Sequence, residues 1–286
     1  MDIVALLLWT AFNLVALNSA HSQAVSLPTQ DSIHRDSTSL SGACEAGDVA
    51  CLRTRVATPD PEAGRLIIIG FVGGFVKHDD TKHLEVKFAE QLRDRYSARI
   101  HAEVFGNHSR QEALRQVLRL LDTDGDGRLT SMEKEQARII IYKHSWGASE
   151  TVTLARELET RGIPVLLTIQ VDRVAKPGER NGMIPPNVAK AVNFYQSKGM
   201  FHGPAEILAE DPSQTKIIGS YRMDYKEHPI SCDQYPWYAR AFMKSHLEIE
   251  NDPRVWEQAA FLIDAELLRT RLIDTASTSD QPMLSK

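Results

Sequence analysis

The chain predicts an α/β protein, a mostly parallel sheet flanked by helices, with one acidic segment inserted ahead of the strand that leads into a serine turn. Three observations carry this. Between Arg65 and Leu272, short β-branched runs alternate with stretches whose apolar residues recur every three or four positions, the pattern of strands connected by crossover helices. The run Ile139-Ile140-Ile141-Tyr142 ends directly on Lys143-His144-Ser145-Trp146-Gly147, and a further helical stretch follows. Asp122 to Glu133 places oxygen-bearing side chains at alternating positions around a glycine.

The first 24 residues read as an export signal. Ile3 to Leu17 is apolar, small residues follow, and Ser22-x-Ala24 fits a cleavage site, which implies a secreted or periplasmic protein. Asp2 stands where a basic residue belongs, so an upstream start or an uncleaved anchor of marginal length stays open. Residues 25–62 are rich in Ser, Thr, Asp and Pro without apolar periodicity, a flexible-linker composition. Cys44 and Cys51 lie within it, bridged in an oxidising compartment or free otherwise, and Cys232 reads as a small buried apolar residue. The folded domain spans 63–272, and 273–286 reads as a disordered polar tail.

Within the domain the expected strands are 66–69, 100–105, 139–142, 165–171, 191–195 and 216–221. The fifth is open to a helical reading, because Pro185-Pro186-Asn187-Val188 also suits a helix start. Helical stripes run through Leu84, Phe88 and Leu92, through Leu114, Val117, Leu118 and Leu121, and through Val152, Ala155 and Leu158. Trp256, Ala259, Ala260, Ile263 and Leu267 form the last, opened by Asp252 as N-cap and Pro253 in the first turn. Asp80 is the expected N-cap of the first helix.

With 286 residues, 42% hydrophobic and 25% charged, the chain can bury a large core. Its net charge of −5 and the lack of any long basic cluster exclude a nucleic-acid partner and give no firm membrane partner.

Asp122-Thr123-Asp124-Gly125-Asp126-Gly127-Arg128-Leu129-Thr130-Ser131-Met132-Glu133 fits the EF-hand calcium loop at each diagnostic position. Carboxylates of Asp122, Asp124 and Asp126, the Arg128 carbonyl, Thr130 directly or through water, and bidentate Glu133 would surround Ca²⁺ with oxygens, while Gly127 permits the sharp turn. Only 134–138 separate the loop from the next strand, too little for the long helix pair of a calcium sensor, so a structural clip is expected. At about 3.3 Å per strand residue, the ion would lie well over 10 Å from Ser145.

Ser145, on a strand-to-helix turn, is the candidate nucleophile, although Lys143 stands where G-x-S-x-G has its first glycine. Asp172 ends an apolar strand at the carboxyl edge, where catalytic groups gather in open α/β sheets; Asp224 and Asp233 are fallbacks. Gly70-Phe71-Val72-Gly73-Gly74 follows the first strand, and its small residues would let backbone N–H groups approach a substrate. Tyr235-Pro236-Trp237-Tyr238 with Phe242 reads as core in preference to an acyl pocket.

Taken in order, strand, glycine-rich loop, helix, strand, helix, strand, serine turn, helix, strand, Asp and a late His resemble the α/β-hydrolases of the lipase and esterase kind, over about residues 63 to 270. The resemblance implies Ser145, Asp172 and His246 as the catalytic triad, with His246 chosen among ten histidines; His144, next to the serine, leaves the turn in a different direction, while His202 and His228 stay open. It implies Val72 or Gly73, together with Trp146, as backbone oxyanion donors. The implied activity is cleavage of a small-molecule or lipid carboxylic ester through an acyl-enzyme. The alternative is an inactive scaffold of this fold whose main activity is calcium binding, and Lys143 is the feature that favours it.

Overall fold

The computed structural model describes residues 65–279 apart from 75, 146–147 and 175–181. The export signal, the linker, Cys44 and Cys51, and the Trp146 donor therefore lie outside the described residues.

Six parallel strands form one sheet: β1 (Leu66–Phe71), β2 (Ile100–Phe105), β3 (Ile139–His144), β4 (Val165–Val171), β5 (Val188–Tyr195) and β6 (Lys216–Arg222), in the spatial order β2-β1-β3-β4-β5-β6. The helices are α1 (Leu84–Tyr96), α2 (Arg110–Leu121), α3 (Ser131–Glu135), α4 (Ala148–Glu159), α5 (Trp237–Glu250) and α6 (Pro253–Ser279). The chain winds outward from β1 in both directions. β2 lies on one side of β1 and β3 on the other, so the order reverses between β1 and β3, and ligands of such sheets bind outside the carboxyl ends at that point.

The strands read as unbroken apolar runs because both faces are covered. Alternate residues divide between two cores. Ile68, Ile140, Tyr142, Leu167 and Ile169 pack with Phe88 and Leu92 of α1 and with Trp256, Ala259 and Ile263 of α6. Ile67, Ile69, Ile139, Ile141 and Val165 pack with Leu114 and Val117 of α2 and with Leu154 and Leu158 of α4. Each such buried side chain contributes about 1.5–3 kcal/mol of transfer free energy.

Four local expectations meet a more specific structure. β5 is a strand and not a helix: Val188 pairs with Val165, and Asn187, just before it, donates to the carbonyls of Ala155 and Ile163. Helix α1 starts at Leu84, with His83 and not Asp80 at its N-cap, because the Asp80 carboxylate turns back on the Lys82 N–H. The aromatic segment does not join the core, since Trp237 and Phe242 are 72% and 70% exposed at the start of α5. Helix α6 runs to Ser279, past the boundary expected at 272, so the proposed tail is helical through 279. Asp252 does cap α6, accepting from Arg254 N–H at 3.0 Å.

Candidate active site

Strand register assembles the site. Phe71 pairs with Lys143, so the residue two beyond Phe71 meets the residue two beyond Lys143, bringing Gly73 against Ser145. His144 pairs with Val171, which sets Ser145 beside Asp172 at the end of β4. The third side chain arrives from α5, where His246 is buried in the carboxyl-terminal half of a helix kinked at Met243.

His246 Nε2 lies 2.8 Å from Ser145 Oγ, and His246 Nδ1 lies 2.6 Å from Asp172 Oδ2. Both distances are hydrogen bonds, so hydroxyl, imidazole and carboxylate form one chain. Asp172 is fully buried. Its Oδ1 accepts from Gly203 N–H at 2.7 Å, and its Oδ2 also accepts from the Gln196 side-chain amide at 2.8 Å. Burial alone would raise the Asp172 carboxyl. The hydrogen bond and charge of His246, with Gln196 and Gly203, outweigh it and hold the group below the usual carboxylate range.

Backbone strain marks the same residues. Among the described residues, Ser97, Ser145 and Asp172 are the non-glycine positions with positive φ, and Ser145 and Asp172 have φ of 63° and 43°. A left-handed serine costs on the order of 1 kcal/mol or more and persists only where its surroundings enforce it. Here the turn lifts Oγ above the strand ends toward His246, the geometry of a nucleophile elbow.

Lys143 does not prevent that turn. It is 1% exposed within β3, where Tyr142 before it packs into the opposite core, so its side chain lies in the interior on the α2 and α4 side. Ser145 keeps its left-handed conformation above it.

The loop after β1 separates the two donors read from the sequence. Val72 N–H is already bonded to the Phe105 carbonyl at 3.1 Å, as a continuation of the sheet, and so is unavailable to an oxyanion. Gly73 is the residue that faces the serine: a Cβ there would fall 2.7 Å from Ser145 Cβ and 3.3 Å from Oγ. Only a glycine lets this backbone approach so closely. Gly73→Ala is therefore expected to force this backbone and the Ser145 turn apart, read as a lowered melting temperature beside the parent.

Two participants were not singled out in the sequence. Gln196 and Gly203 hold Asp172 from the segment after β5, where the only available signal was adjacency of that strand to the one carrying the acid. His144 leaves the turn on the other side from Lys143, yet its ring stacks on His246 at 4.6 Å between centroids with 29° between planes. The competing groups stay apart from the chain: His202 Nδ1 contacts the Gly203 carbonyl, while Asp224 and Asp233 pair with Arg222 and Arg240 in exposed positions. Cys232 is buried, and burial pushes its thiol up to about 11, which makes it a poor nucleophile.

The acidic loop lies at the other end of β3. It leaves α2 at Asp122 and returns through α3 to Ile139, the first residue of that strand. Carboxylate oxygens of Asp122, Asp124 and Asp126 lie within 4.8 Å of one another. Gly125 and Gly127 have φ of 71° and 79°, and Gly127 N–H donates to Asp122. Both Glu133 oxygens accept hydrogen bonds, one from Thr123 and one from Thr130, which closes the two ends of the loop through a capping box on α3. Those N–H bonds, from Thr130 and then Thr123, hold the Glu133 carboxyl at about 2, so it stays ionised. Leu129 packs against the α2 and α4 core. All-oxygen donors converging around a left-handed glycine fit a hard divalent cation.

No family model matches the chain, and no curated protein matches it. Among solved structures it is similar to one described as RedJ with PEG molecule bound in the active site, at 13% identity and a TM-score of 0.30, over 57% of this chain and 80% of that one.

Proposed function

We propose that this protein is an exported serine hydrolase of the α/β-hydrolase kind that cleaves carboxylic esters through an acyl-enzyme on Ser145. The observation that carries this is the Ser145–His246–Asp172 hydrogen-bond chain built on a left-handed serine. His246 Nε2 takes the hydroxyl proton as Ser145 Oγ bonds to the ester carbonyl carbon, and the oxyanion that forms meets the Gly73 backbone. The same proton then passes to the departing alkoxide as the C–O bond breaks, leaving the acyl group on Ser145. Water, activated by His246, releases the acid and restores the hydroxyl. Asp172 keeps Nδ1 protonated and stabilises the imidazolium without taking the proton. The substrate class is a small-molecule or lipid ester.

A panel of short and long p-nitrophenyl esters tests this. Turnover that exceeds a Ser145→Ala background supports it. Turnover of none of them leaves calcium binding on a non-catalytic scaffold, the role that Lys143 in the elbow suggested.

In the same reading one Ca²⁺ is held by Asp122, Asp124, Asp126, Glu133, the Arg128 carbonyl and Thr130. It would tie α2 to β3 and take no part in the chemistry, since the six residues of β3 at about 3.3 Å each separate it from Ser145. Removing the ion with a chelator from protein held at about 100 times its Kd should cost about 2.7 kcal/mol, or about 5–10 °C in Tm for a domain of this size. A chelator-insensitive Tm, shared by Glu133→Gln, would remove the calcium assignment.

A further inference from the structure

Next to the triad, where His144 stacks on His246, four ionisable side chains from separate segments converge: His83 before α1, Glu85 in its first turn, His144 at the end of β3 and Glu250 at the end of α5. Glu85, His144 and Glu250 are buried, and His83 is nearly so, at 15% of its side chain. Nothing in the proposed hydrolytic reaction uses them.

They stand within ion-pair range of one another, but only half of them make close hydrogen bonds. His83 Nδ1 reaches Glu250 at 2.6 Å, and Tyr235 OH donates to the same oxygen at 2.7 Å. The other half of the cluster makes no hydrogen bond across itself. Both carboxylate oxygens of the fully buried Glu85 lack a hydrogen-bond partner, as does His144 Nε2. His144 Nδ1 stands 3.8 Å from Glu85 and 3.7 Å from Glu250, too far for a hydrogen bond. Burial alone would raise the Glu85 carboxyl, and the nearby His144 and His83 charges hold it at about 2, so without metal the cluster rests as an ion-pair network whose Glu85 oxygens lack close hydrogen bonds. For a tetrahedral ion with ligands at about 2.0–2.2 Å, neighbouring ligand atoms stand about 3.3–3.6 Å apart, close to the gaps seen. Ligating atoms of His83, Glu85 and Glu250 lie within 4.8 Å of one another, and His144 stands just outside that group.

We propose that His83, Glu85 and Glu250 form a second metal site, distinct from the acidic loop, that takes one Zn²⁺, with His144 Nδ1, 3.7–3.8 Å from both carboxylates, drawn in as the fourth ligand when the ion binds. The mixed nitrogen and oxygen donor set selects a borderline ion such as zinc over calcium, which prefers oxygen alone. Two carboxylates balance its charge with both imidazoles neutral. On binding, His83 Nδ1 exchanges its hydrogen bond with Glu250 for the ion, and the part of His83 that reaches the surface supplies the way in. The ion would cross-link α1, β3 and α5, fixing the His144 ring on which His246 stacks. The proposal is independent of the ester-hydrolase reading, because its readout is bound metal.

The test uses the full chain, stripped with a chelator and reloaded with Ca²⁺ to fill the acidic loop, then titrated with Zn²⁺ and assayed for bound metal after gel filtration. One zinc per chain is expected, with a raised Tm, and Co²⁺ in its place should show the visible absorption of a tetrahedral centre. Glu85→Gln, nearly isosteric, and His83→Ala, at the edge of the cluster, should each weaken binding about 100-fold or more. Glu133→Gln should leave the zinc stoichiometry unchanged. If either cluster variant fails to fold, the Co²⁺ spectrum of the parent decides. No zinc retained, zinc retained equally by both cluster variants, or an octahedral Co²⁺ spectrum each overturns the proposal.

Discussion

Ser145→Ala is expected to lower kcat for an activated ester by about 10⁶-fold, with the fold unchanged. In a triad the nucleophile, base and acid act as a unit, so removing the serine costs nearly as much as removing all three. The Ala Cβ occupies the place of the serine Cβ beside Gly73, so no cavity opens in either core. Only the 2.8 Å bond to His246 is lost. A variant that keeps more than a small fraction of parental turnover, with an unchanged melting curve, places the chemistry elsewhere.

Asp172→Asn should lower kcat/KM by about 10⁴-fold, and the reason is tautomeric. Asparagine tolerates the left-handed φ of 43° at this position, so the backbone stays. Its amide must satisfy Gly203 N–H on one side, which needs the carbonyl oxygen there, and this turns the NH₂ toward His246. Nδ1 then becomes an acceptor, the proton moves to Nε2, and His246 can no longer take one from Ser145. The native Asp172 carboxyl, held below its ordinary range, also contributes stability that is present above the unfolded-state value and is lost as pH falls through the folded one. Asp172→Asn should flatten that acid limb of the stability curve. A parental pH–stability profile together with parental activity would show that the carboxylate neither orients the base nor titrates with folding.

The sheet was legible because its signals are local. Each strand is a short β-branched run covered on both faces, and the four helical stripes fall on residues that pack against it. The juxtaposition of Ser145 and Asp172 was legible from order: a serine after β3 and an aspartate after β4 sit together because parallel register puts the ends of adjacent strands side by side. Contacts made across long stretches of chain were not legible. The partners of Asp172 come from Gln196 and Gly203, and Glu250 reaches back to His83, with no sequence periodicity to announce either. The Val72 donor failed for a subtler reason. Its N–H extends the β1–β2 ladder by one bond to Phe105, and the length of a ladder is set by the partner strand. Trp237 and Phe242 looked like core because aromatic clusters usually are, but they lie at the exposed start of α5, before the turns that bury Leu247 and Ile249.

A fluorophosphonate probe reads an activated hydroxyl at Ser145 directly. On calcium-loaded protein one adduct per chain is expected, mapped to Ser145 and abolished by Ser145→Ala and by His246→Ala. No adduct on the folded parent, or one formed equally by Ser145→Ala, would contradict it.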